Sequence, residues 1–587
     1  MIEIATNVHA QQPKGAPFFV ETCPFNFGEE FDASQLHLRP DKINSWPMVY
    51  ILSNDDDAYV GETTSVKTRM AQHLENEERR DFTQVTIICN DEFNMSTTKY
   101  YEHRLIDLFN ADGLFTLTNK NKGKERSDYF SFDEYNDMFN SLWEELRKER
   151  TGQKVNHIKL ANQSIKDIEE SEVFKYSPFK ELTNDQYVAV EKILAAIEDM
   201  VKNGLDSAKP LLVEGAPGTG KTIVAIHLLK ALRDSDEYRN LEVRIVEPVA
   251  ALRSSLQNSV KTVHNLSADD IIGPLDVANP DKYPAKNRNR PVREKHFDIL
   301  LVDETYRLKQ RKAATGFQLR DISDANKLLG FDEKKGTQLD WVLQQACLPV
   351  LFYDPLQVGH PSSIGIDGLQ NALGVEAFSS PIQLESQMRV KGGNDYLSYV
   401  REILHDEHPE PRGFDTYDFV FHQDIDGFYD SFESTYQEHE LTRMVAGYAW
   451  KWKSKDGDDA FDIEYDSVKL KWNCGYEGWI PKGTKHPEVA HEVGCIHSVQ
   501  GYDLSYAYVI IGDDIQLDPA TDKLVGNYNG YMDTKGKEGL RDDPETLTEY
   551  IKNIYYVLLT RGIYGTHVFV ANPELREYLA QYFLVKE

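Results

Sequence analysis

The sequence is poor in cysteine. Five cysteines lie far apart among 587 residues, and no two of them form a C-x-x-C pair. A zinc ribbon is therefore not expected. A sparse and odd set of thiols is typical of proteins in a reducing cytosol, so we expect a cytoplasmic protein.

The sequence also lacks segments that would direct it into a membrane. The N-terminal residues MIEIATNVHAQQPKG contain neither a basic start nor an apolar run, so we expect no secretory signal. No uncharged apolar stretch approaches the roughly 20 residues of a membrane span. We accordingly expect no membrane partner.

Positive charge is scarce. Lys and Arg number 65 against 96 Asp and Glu, which gives a formal net charge of -31. This balance argues against a uniformly basic nucleic-acid coat protein. It is compatible with a nucleic-acid enzyme, because only the contacting groove must be positive. Two basic stretches, NKNKGKER at 119–126 and AKNRNRPVREK at 285–295, are either parts of such a groove or solvated loops.

The length implies two to four domains, because a single hydrophobic core does not extend over 587 residues. Between residues 46 and 120, the runs WPMVYIL, AYVGE and QVTIICN predict strands, and TKYYEHRLIDLFN predicts an amphipathic helix. Residues 151–177 are polar and weakly periodic, which is typical of a linker or helical connector. From residue 178 onward, apolar strands alternate with helical patterns, which indicates parallel sheets covered by helices.

A phosphate-binding loop is the strongest motif. GAPGTGKT, residues 215–222, matches G-x-x-x-x-G-K-[ST] and lies between a predicted strand and a predicted helix. Its glycines are Gly215, Gly218 and Gly220. They let backbone N–H groups converge on phosphates at the N-terminus of the helix. We expect Lys221 to reach the β and γ phosphates and Thr222 to hold Mg²⁺. The alternative is a plain glycine turn before a helix.

A metal-binding acid should follow at the end of a later strand, and FDILLVDETYRL supplies one. Asp303 would hold Mg²⁺ through water, and Glu304 would polarise the attacking water. The alternative is a buried strand that ends in a solvated acidic pair. No guanine-reading N-K-x-D loop is suitably placed, so we expect ATP rather than GTP.

Segments on both sides of this loop resemble the motifs of superfamily 1 helicases, in the same order. The matching residues are Gln186 in ELTNDQYVAV, Asp354 and Gln357 in LFYDPLQ, Arg389 in LESQMRV, Gln500 and Gly501 in GCIHSVQGYDLSYAYVIIG, and Arg561 in YYVLLTRGIYGTHVFV. The resemblance implies that Gln186 reads adenine and that Asp354 and Gln357 lie near the γ phosphate. It implies that Arg389 and Arg561 are arginine fingers. It also implies that Gln500 and Gly501 couple ATP to DNA.

The segments DETYRL, RMVAGYAWKW and VLLTRGIYGT resemble a Schlafen-related group within superfamily 1, in which DEA is common where this chain has DET. The resemblance to superfamily 1 helicases also implies that RIVEPVAALRSSL and KTVHNL touch single-stranded DNA. Arginines of one lobe that reach ATP on the other make lobe closure depend on nucleotide. Such a motor would move along a strand.

The block before residue 150 resembles a GIY-YIG nuclease module. Val49-Tyr50-Ile51 stands for the first triplet, without its glycine, and Tyr59-Val60-Gly61 stands for the second. The other matching residues are Arg69 and His73 on one face of a predicted helix, Glu102 at the start of a second helix, and Asn119 after a short strand.

Hydrolysis of a phosphodiester needs a base near water, a cation on the phosphate and a metal for the leaving oxygen. Tyr50, Tyr59 and His73 are the candidates to handle protons, and Arg69 would stabilise charge on the phosphate. The resemblance implies that Glu102 anchors one divalent metal, Mg²⁺ or Mn²⁺. Two alternatives stay open: the tyrosines merely pack and Glu102 is solvated, or the module is inactive and only binds DNA.

We therefore predict an α/β protein with a small GIY-YIG-like nuclease domain and two RecA-like parallel-sheet P-loop NTPase lobes. The predicted divisions are 1–45 (N-terminal segment), 46–150 (nuclease), 151–177 (linker), 178–375 (first lobe) and 376–587 (second lobe). The predicted function is an ATP-dependent helicase or translocase fused to a metal-dependent endonuclease, acting on single-stranded or duplex DNA in antiviral defence or repair. A protein partner or homo-oligomer is compatible with it. The alternative function is a nucleotide-gated DNA sensor or scaffold that does not unwind.

Overall fold

The structure is a computed structural model. It describes residues 18–119, 132–147, 160, 164–204, 208–279, 295–311, 316–355, 362–387, 389–439, 441–456, 460–473, 479–480, 487–499, 503–534 and 536–584. The chain divides into two compact units. The first comprises Met1–Leu182, Lys230–Arg239 and Leu256–Ala268, and the second comprises Thr183–Leu229, Asn240–Ser255 and Asp269–Glu587.

A mostly antiparallel sheet organises the first unit. Its strands are β1 (Phe19–Pro24), β2 (Met48–Ser53), β3 (Asp57–Thr63), β4 (Gln84–Cys89) and β5 (Thr116–Leu117). They lie in the order β1-β4-β2-β3-β5, and β5 pairs with β3 in parallel. The strands predicted from the three apolar runs are confirmed as β2, β3 and β4. Strand β1 belongs to a segment for which the sequence predicts no element.

Helices cover this sheet. They are α1 (Pro40–Ser45), α2 (Val66–Leu74), α3 (Met95–Asp112), α4 (Phe132–Arg147), α5 (Ile165–Glu170) and α6 (Glu172–Lys175). The predicted amphipathic helix is confirmed within α3, where Tyr101, Leu105 and Leu108 are fully buried. These side chains share a core with Trp143 of α4, which explains why the apolar face of α3 turns inward.

A second segment extends the edge of this sheet. Val263 forms a parallel bridge with Leu117. The backbone N–H of Leu117 donates to the carbonyl of Thr262 at 3.0 Å, and the N–H of His264 donates to the carbonyl of Leu117 at 3.1 Å. Val263 is buried in the same core as α3 and α4. The outer edge of β5 is therefore paired at Leu117 by a segment that follows it by more than a hundred residues.

The second unit contains two parallel sheets. The strands of the first are β6 (Leu211–Gly215), β7 (Val243–Val246), β8 (Ile271–Ile272), β9 (Phe297–Val302), β10 (Ala346–Tyr353) and β11 (Ile382–Leu384). Their order is β11-β6-β10-β9-β7-β8. The helices along this stretch are α7 (Asn184–Asn203), α8 (Lys221–Asp234), α9 (Ala250–Val260), α10 (Pro274–Val277), α11 (Gly316–Leu329), α12 (Gln338–Gln345) and α13 (Gly365–Leu373). Strands β9 and β10 are wholly buried, as parallel strands covered on both faces must be.

The remaining strands of the second unit are β12 (Asp418–His422), β13 (Arg443–Ala446), β14 (Ile463–Tyr465), β15 (Val468–Leu470), β16 (Val493–Gly494), β17 (Leu504–Ile511), β18 (Ile515–Asp518), β19 (Lys523–Gly526) and β20 (Gly562–Val570). Five of them form the second parallel sheet, in the order β12-β20-β17-β13-β16. The helices are α14 (Gly393–Leu404), α15 (Ile425–Glu438), α16 (Pro487–Ala490), α17 (Ile496–Val499), α18 (Pro544–Leu559) and α19 (Pro573–Ala580). The pairs β14–β15 and β18–β19 form antiparallel hairpins.

The predicted fold class is confirmed: the chain joins a small α/β domain to two parallel-sheet lobes. In open parallel sheets, ligands bind beyond the carboxyl ends of the strands. Across the described ranges, no helix is both long enough and apolar enough to cross a membrane.

Candidate functional sites

The phosphate loop lies between β6 and α8, as predicted. Gly218 and Gly220 have φ values of +86° and +82°, which other residues rarely adopt. A Cβ atom at Gly215 would lie 2.4 Å from Oγ1 of Thr219, so the loop folds tightly around itself. Nζ of Lys221 donates to the carbonyls of Gly215 at 2.7 Å and Ala216 at 3.1 Å. The ammonium group of Lys221 therefore lies against the loop, and its N–H donors are suited to binding a polyphosphate.

The acidic pair follows β9. Oγ1 of Thr222 donates to Oδ2 of Asp303, which is fully buried. Burial, and then the charge of Glu304, raises the pKa of Asp303 to about 6. Burial also acts to raise the pKa of Glu304, but Arg307 and Lys221 outweigh it, and this pKa lies below its ordinary value. A hydroxyl and a carboxylate held together at this point are the ligands that Mg²⁺ prefers.

Glu304 has a constrained geometry. Its backbone is left-handed, with φ of 44°. Its carboxylate accepts hydrogen bonds from the Tyr306 hydroxyl and from Nε of Arg307, the latter at 2.9 Å. A non-glycine residue in this conformation is held there by its surroundings, which favours a functional position for the carboxylate.

Gln186 contacts the phosphate loop directly. Its Nε2 donates to the carbonyl of Thr219 at 2.8 Å, and its Oε1 accepts from the N–H of Thr183 at 3.0 Å. The side chain is 1% exposed. The amide therefore joins the start of α7 to the loop. Its predicted role in reading adenine stays a prediction.

Two arginines converge on this region. Arg389 forms an ion pair with Asp503, and its Cβ would lie 2.7 Å from a Cβ atom placed on Gly218. Arg561, just before β20, is buried. Burial, and then the positive charge of Arg389, lowers the pKa of Arg561 to about 10, while Asp503 and Glu304 act in the opposite direction. Arg561 therefore stays protonated at neutral pH.

Of the other predicted nucleotide-site residues, one is described by the structure and three are not. Asp354 is fully buried just after β10. Gln357, Gln500 and Gly501 lie outside the described residues.

Sequence reasoning missed Asp185, the neighbour of Gln186. Its carboxylate accepts from the backbone N–H groups of Glu385 at 2.7 Å and Ser386 at 2.9 Å, and from Oγ of Ser386 at 2.6 Å. Burial opposes ionisation, but these hydrogen bonds outweigh it and lower the pKa of Asp185 to about 2. An acid in the first helical turn indicates only a favourable dipole contact. Glu385 lies 200 residues further along the chain, so no local sequence pattern predicts its contact with Asp185.

Gln387 was also missed. Its Nε2 donates to the carbonyl of Pro217 at 2.7 Å, and its Oε1 accepts from the N–H of Arg389 at 2.8 Å. The side chain therefore bridges the phosphate loop and the backbone of the first predicted arginine finger. The sequence motif LESQMRV contains Gln387, but only its position in the fold shows this contact.

The predicted nuclease residues gather on β2, β3 and α2. The hydroxyl of Tyr50 lies 2.7 Å from Nε2 of His73 and accepts from Nε of Arg69 at 2.9 Å. The Tyr59 ring centroid lies 6.3 Å from that of Tyr50 and 5.5 Å from that of His73. The predicted placement of Arg69 and His73 on one helix is confirmed by α2.

Electrostatics keep the tyrosine and histidine neutral. Burial raises the pKa of Tyr50 well above its ordinary value, and Arg69 only partly offsets this. Burial, and then the charges of Arg69 and Arg79, lowers the pKa of His73 to about 3. At neutral pH the Tyr50 hydroxyl therefore donates to an unprotonated His73 nitrogen and accepts from Arg69.

Arg79 was not foreseen. Its guanidinium lies 3.9 Å from the Tyr59 ring centroid, and its Nη1 donates to Oγ1 of Thr118 at 3.2 Å. The side chain is mostly buried. The guanidinium therefore lies over the Tyr59 ring and makes a cation–π contact with it.

Glu102 lies in α3, half-buried, and its charge contributes to the raised pKa of Tyr50. The prediction that Glu102 starts this helix is wrong. Helix α3 begins at Met95, because Oδ1 of Asn94 accepts from the N–H of Thr97 at 2.9 Å and caps the first turn.

The described residues contain no cluster of three or more His, Cys, Asp or Glu side chains suited to a metal. A metal here would have one carboxylate, and its remaining ligands would come from phosphate and water.

Asn119 follows β5, as predicted, and grips the middle of the second triplet. Its Nδ2 donates to the carbonyl of Val60 at 2.8 Å, and its Oδ1 accepts from the N–H of Val60 at 3.1 Å.

A cavity of about 420 Å³ opens next to Arg69. It is lined by Glu62, Thr63, Thr64, Ser65, Thr68, Gln72 and Met95. The hydroxyl and amide groups beside Arg69 suit a phosphate backbone, whereas the carboxylate of Glu62 would repel one.

Two family models match separate parts of this chain. The family "Schlafen group 3, DNA/RNA helicase domain" matches residues 208–572, and "GIY-YIG catalytic domain" matches residues 47–136. The uncharacterized protein YPL245W of Saccharomyces cerevisiae is 23% identical over 409 residues, which cover 63% of this chain and 83% of that protein. The crystal structure of Pif1 helicase from Candida albicans aligns at 11% identity over 69% of this chain and 99% of that one, with a TM-score of 0.28.

The helicase-domain match covers more than half of the 587 residues. The nuclease match contains the residues on β2, β3, α2 and α3 described above. The chain therefore belongs to the Schlafen group 3 helicase family, with a GIY-YIG catalytic domain preceding the helicase domain in the same chain.

Proposed function

We propose that this protein is an ATP-dependent DNA helicase or translocase fused to a metal-dependent DNA endonuclease. The observation that carries the motor part is the convergence of Arg389 and Arg561 on the region of Lys221 and Glu304. Two arginines beside a phosphate loop and an acidic pair are what hydrolysis of a nucleoside triphosphate requires.

Each residue of the proposed motor would have a separate role in ATP hydrolysis. Lys221 would bind the β and γ phosphates, and Glu304, held anionic by Arg307, would orient the attacking water. Mg²⁺ held by Thr222 and Asp303 would neutralise charge on the phosphates. Arg389 and Arg561 would stabilise the charge that develops in the transition state. Because a single site uses groups from both sheets, ATP would draw the two lobes together and ADP would let them part.

The nuclease proposal rests on the contacts among Tyr50, His73 and Arg69. Arg69 would bind the phosphate and stabilise its developing charge. The hydrogen bond between Tyr50 and His73 gives a path along which a proton of the attacking water can pass. A divalent metal held by Glu102, Mg²⁺ or Mn²⁺, would stabilise the leaving oxygen. Asn119 holds the backbone of Val60, the residue that follows Tyr59 on β3.

Plasmid nicking in Mg²⁺, with and without ATP, tests this proposal. Wild type, Glu102→Ala, Lys221→Ala and the control Glu77→Ala are compared, since the Glu77 side chain is exposed. We expect Glu102→Ala to abolish nicking and spare ATP hydrolysis, and Lys221→Ala to abolish ATP hydrolysis. Normal nicking by Glu102→Ala would show that the nuclease assignment is wrong.

Strand displacement on a tailed duplex separates a motor from a nucleotide-gated sensor or scaffold. A helicase separates the strands in the presence of ATP, whereas a gate hydrolyses ATP without displacement. A translocase that does not unwind would still remove a protein block from single-stranded DNA. We further propose that the fusion serves antiviral defence or DNA repair in the cytoplasm. This rests on the architecture alone, and plaque counts on cells that express wild type or Glu102→Ala test the defence role.

A further inference from the structure

A buried lysine in the first unit reaches the nuclease residue Asn119. Nζ of Lys230 donates to the backbone carbonyl of Asn119 at 3.3 Å. The same ammonium group lies 2.6 Å from both carboxylate oxygens of Asp234. The two side chains are 1% and 7% exposed. A buried charge is costly unless it is paired and hydrogen-bonded, so this lysine has a fixed place rather than a mobile one.

Asn119 connects Lys230 to the second triplet of the nuclease. The carbonyl of Asn119 accepts from Lys230, while its side chain holds both backbone groups of Val60. Val60 lies between Tyr59 and Gly61 on β3. A shift of Lys230 would therefore move Asn119 and, with it, the strand that carries Tyr59.

A second set of contacts strengthens the same link. Nδ2 of Asn265 donates to Oδ1 of Asp234 at 3.2 Å. Oγ1 of Thr262 donates to the carbonyl of Asn110 at 3.2 Å. Together with the bridge between Val263 and Leu117, these bonds tie residues 262–265 to α3, to β5 and to the Lys230–Asp234 pair.

Lys230 and the phosphate-loop lysine are on one helix. Helix α8 begins at Lys221 and ends at Asp234, with no break between them. The two lysines are separated by about 13 Å along the axis at a rise of ~1.5 Å per residue. Helix α8 contains neither proline nor glycine, so its sequence has no residue that would kink it, and we expect a displacement of its first turn to reach its last.

We infer that Lys230 is a positioning residue of the nuclease, which makes the place of Asn119 depend on the state of the phosphate-loop helix. Nucleotide binding at Lys221 changes the partners of the first turn of α8, which in this structure are the carbonyls of Gly215 and Ala216. The resulting movement reaches Asn119 through Lys230. The inference rests on the proposed function, and it adds that the nuclease responds to nucleotide through this contact.

The test uses the full-length protein and a double variant, Lys230→Met/Asp234→Asn. It removes both charges, because removal of one alone would leave the other buried and unpaired. Lys334→Met, an exposed lysine, is the control. Two readouts are taken with and without Mg²⁺ and ATPγS: the plasmid nicking rate, and hydrogen exchange of the Val60 amide, which donates to Asn119.

In wild type and in Lys334→Met, we expect ATPγS to change the nicking rate and the Val60 exchange rate by at least about fivefold. In the double variant both changes should shrink to within about 1.5-fold, although ATPγS still binds. A wild type whose Val60 exchange does not respond to ATPγS overturns the inference, whether or not the variant folds. A double variant that responds like wild type overturns it as well.

These outcomes differ from a failure of the proposed function. If the protein does not nick DNA, or if Glu102→Ala nicks normally, the nuclease assignment fails, yet the Val60 exchange still reports the link. If ATPγS does not bind, the motor assignment fails first. If nicking and nucleotide binding are both normal and only the coupling is absent, the role of Lys230 alone is wrong.

Discussion

Replacement of Gly61 by alanine should disable the nuclease while ATP hydrolysis continues. The added Cβ would lie 2.3 Å from the Tyr50 hydroxyl oxygen and 2.4 Å from its Cζ. Non-bonded atoms are most stable at about 3.5–4.0 Å, so the Tyr50 ring must move by about 1 Å or more. Tyr50 is fully buried, and the pairing of β2 with β3 places it opposite Gly61. The ring therefore cannot move aside without displacing its neighbours.

The expected magnitude has two parts. Overpacking of a buried site costs about 1–3 kcal/mol of folding free energy. The same shift separates the Tyr50 hydroxyl from His73 and Arg69, which it contacts at 2.7 and 2.9 Å. Misplacement of catalytic groups by about 1 Å lowers a rate by about 100-fold. We therefore expect an about 100-fold loss of nicking, ~2 kcal/mol of destabilisation and an unchanged ATPase rate.

The assay combines plasmid nicking, ATP hydrolysis and urea unfolding of the same preparations. Gly316→Ala is the matched control, since no atom lies within 4 Å of a Cβ at this position and its φ is ordinary. It should behave like wild type in all three measurements. Nicking by Gly61→Ala at the wild-type rate would refute the reasoning, because it would show that Tyr50 is either displaceable or not used.

Three further perturbations follow from the sites. Burial lowers the pKa of His73 to about 3 in the folded chain. In the unfolded chain the same imidazole binds a proton near pH 6.5, whereas in the folded chain it stays unprotonated at that pH. Stability should therefore fall by about 1.4 kcal/mol per pH unit below 6.5, and urea unfolding at pH 7.5 and 5.5 should show a smaller loss in His73→Gln. Asp185→Asn loses a charged acceptor for two N–H groups, so the ATPase kcat should fall by about 10-fold, whereas unchanged kinetics would contradict a role in the motor. Arg561→Ala should lower kcat for ATP by roughly 1,000-fold with little change in nucleotide affinity, and a loss of binding instead would argue for a ground-state contact.

Local spacing predicted the parts of the sites that adjoining residues build. The phosphate loop is contiguous, so its glycines and Lys221 were identified from their order alone. Arg69 and His73 are four residues apart, and one helical turn brings them together. The three runs became β2, β3 and β4. Strand β2 is wholly buried, and β3 is partly buried, with Ala58 and Val60 on its buried side.

The features that the sequence did not predict correctly are of two kinds: the start of a helix, and contacts between residues that are far apart in the chain. The start of α3 was misplaced because the cap at Asn94 precedes the apolar pattern by several residues. Asp185 and Arg79 were missed because each is an ordinary charged residue in its local context. Their partners, at Ser386 and Tyr59, are brought to them by packing.

The sequence alone was enough to predict which residues form the two candidate sites: a phosphate loop with its acids and arginines, and a tyrosine, histidine and glutamate set before it. These motifs are readable because short-range geometry dictates their spacing. Tertiary structure alone decided what each group touches, including the contact of Lys230 with Asn119, 111 residues apart. Such a contact has no local sequence signal, because it results from burial of helix and sheet surfaces whose residues lie far apart in the chain.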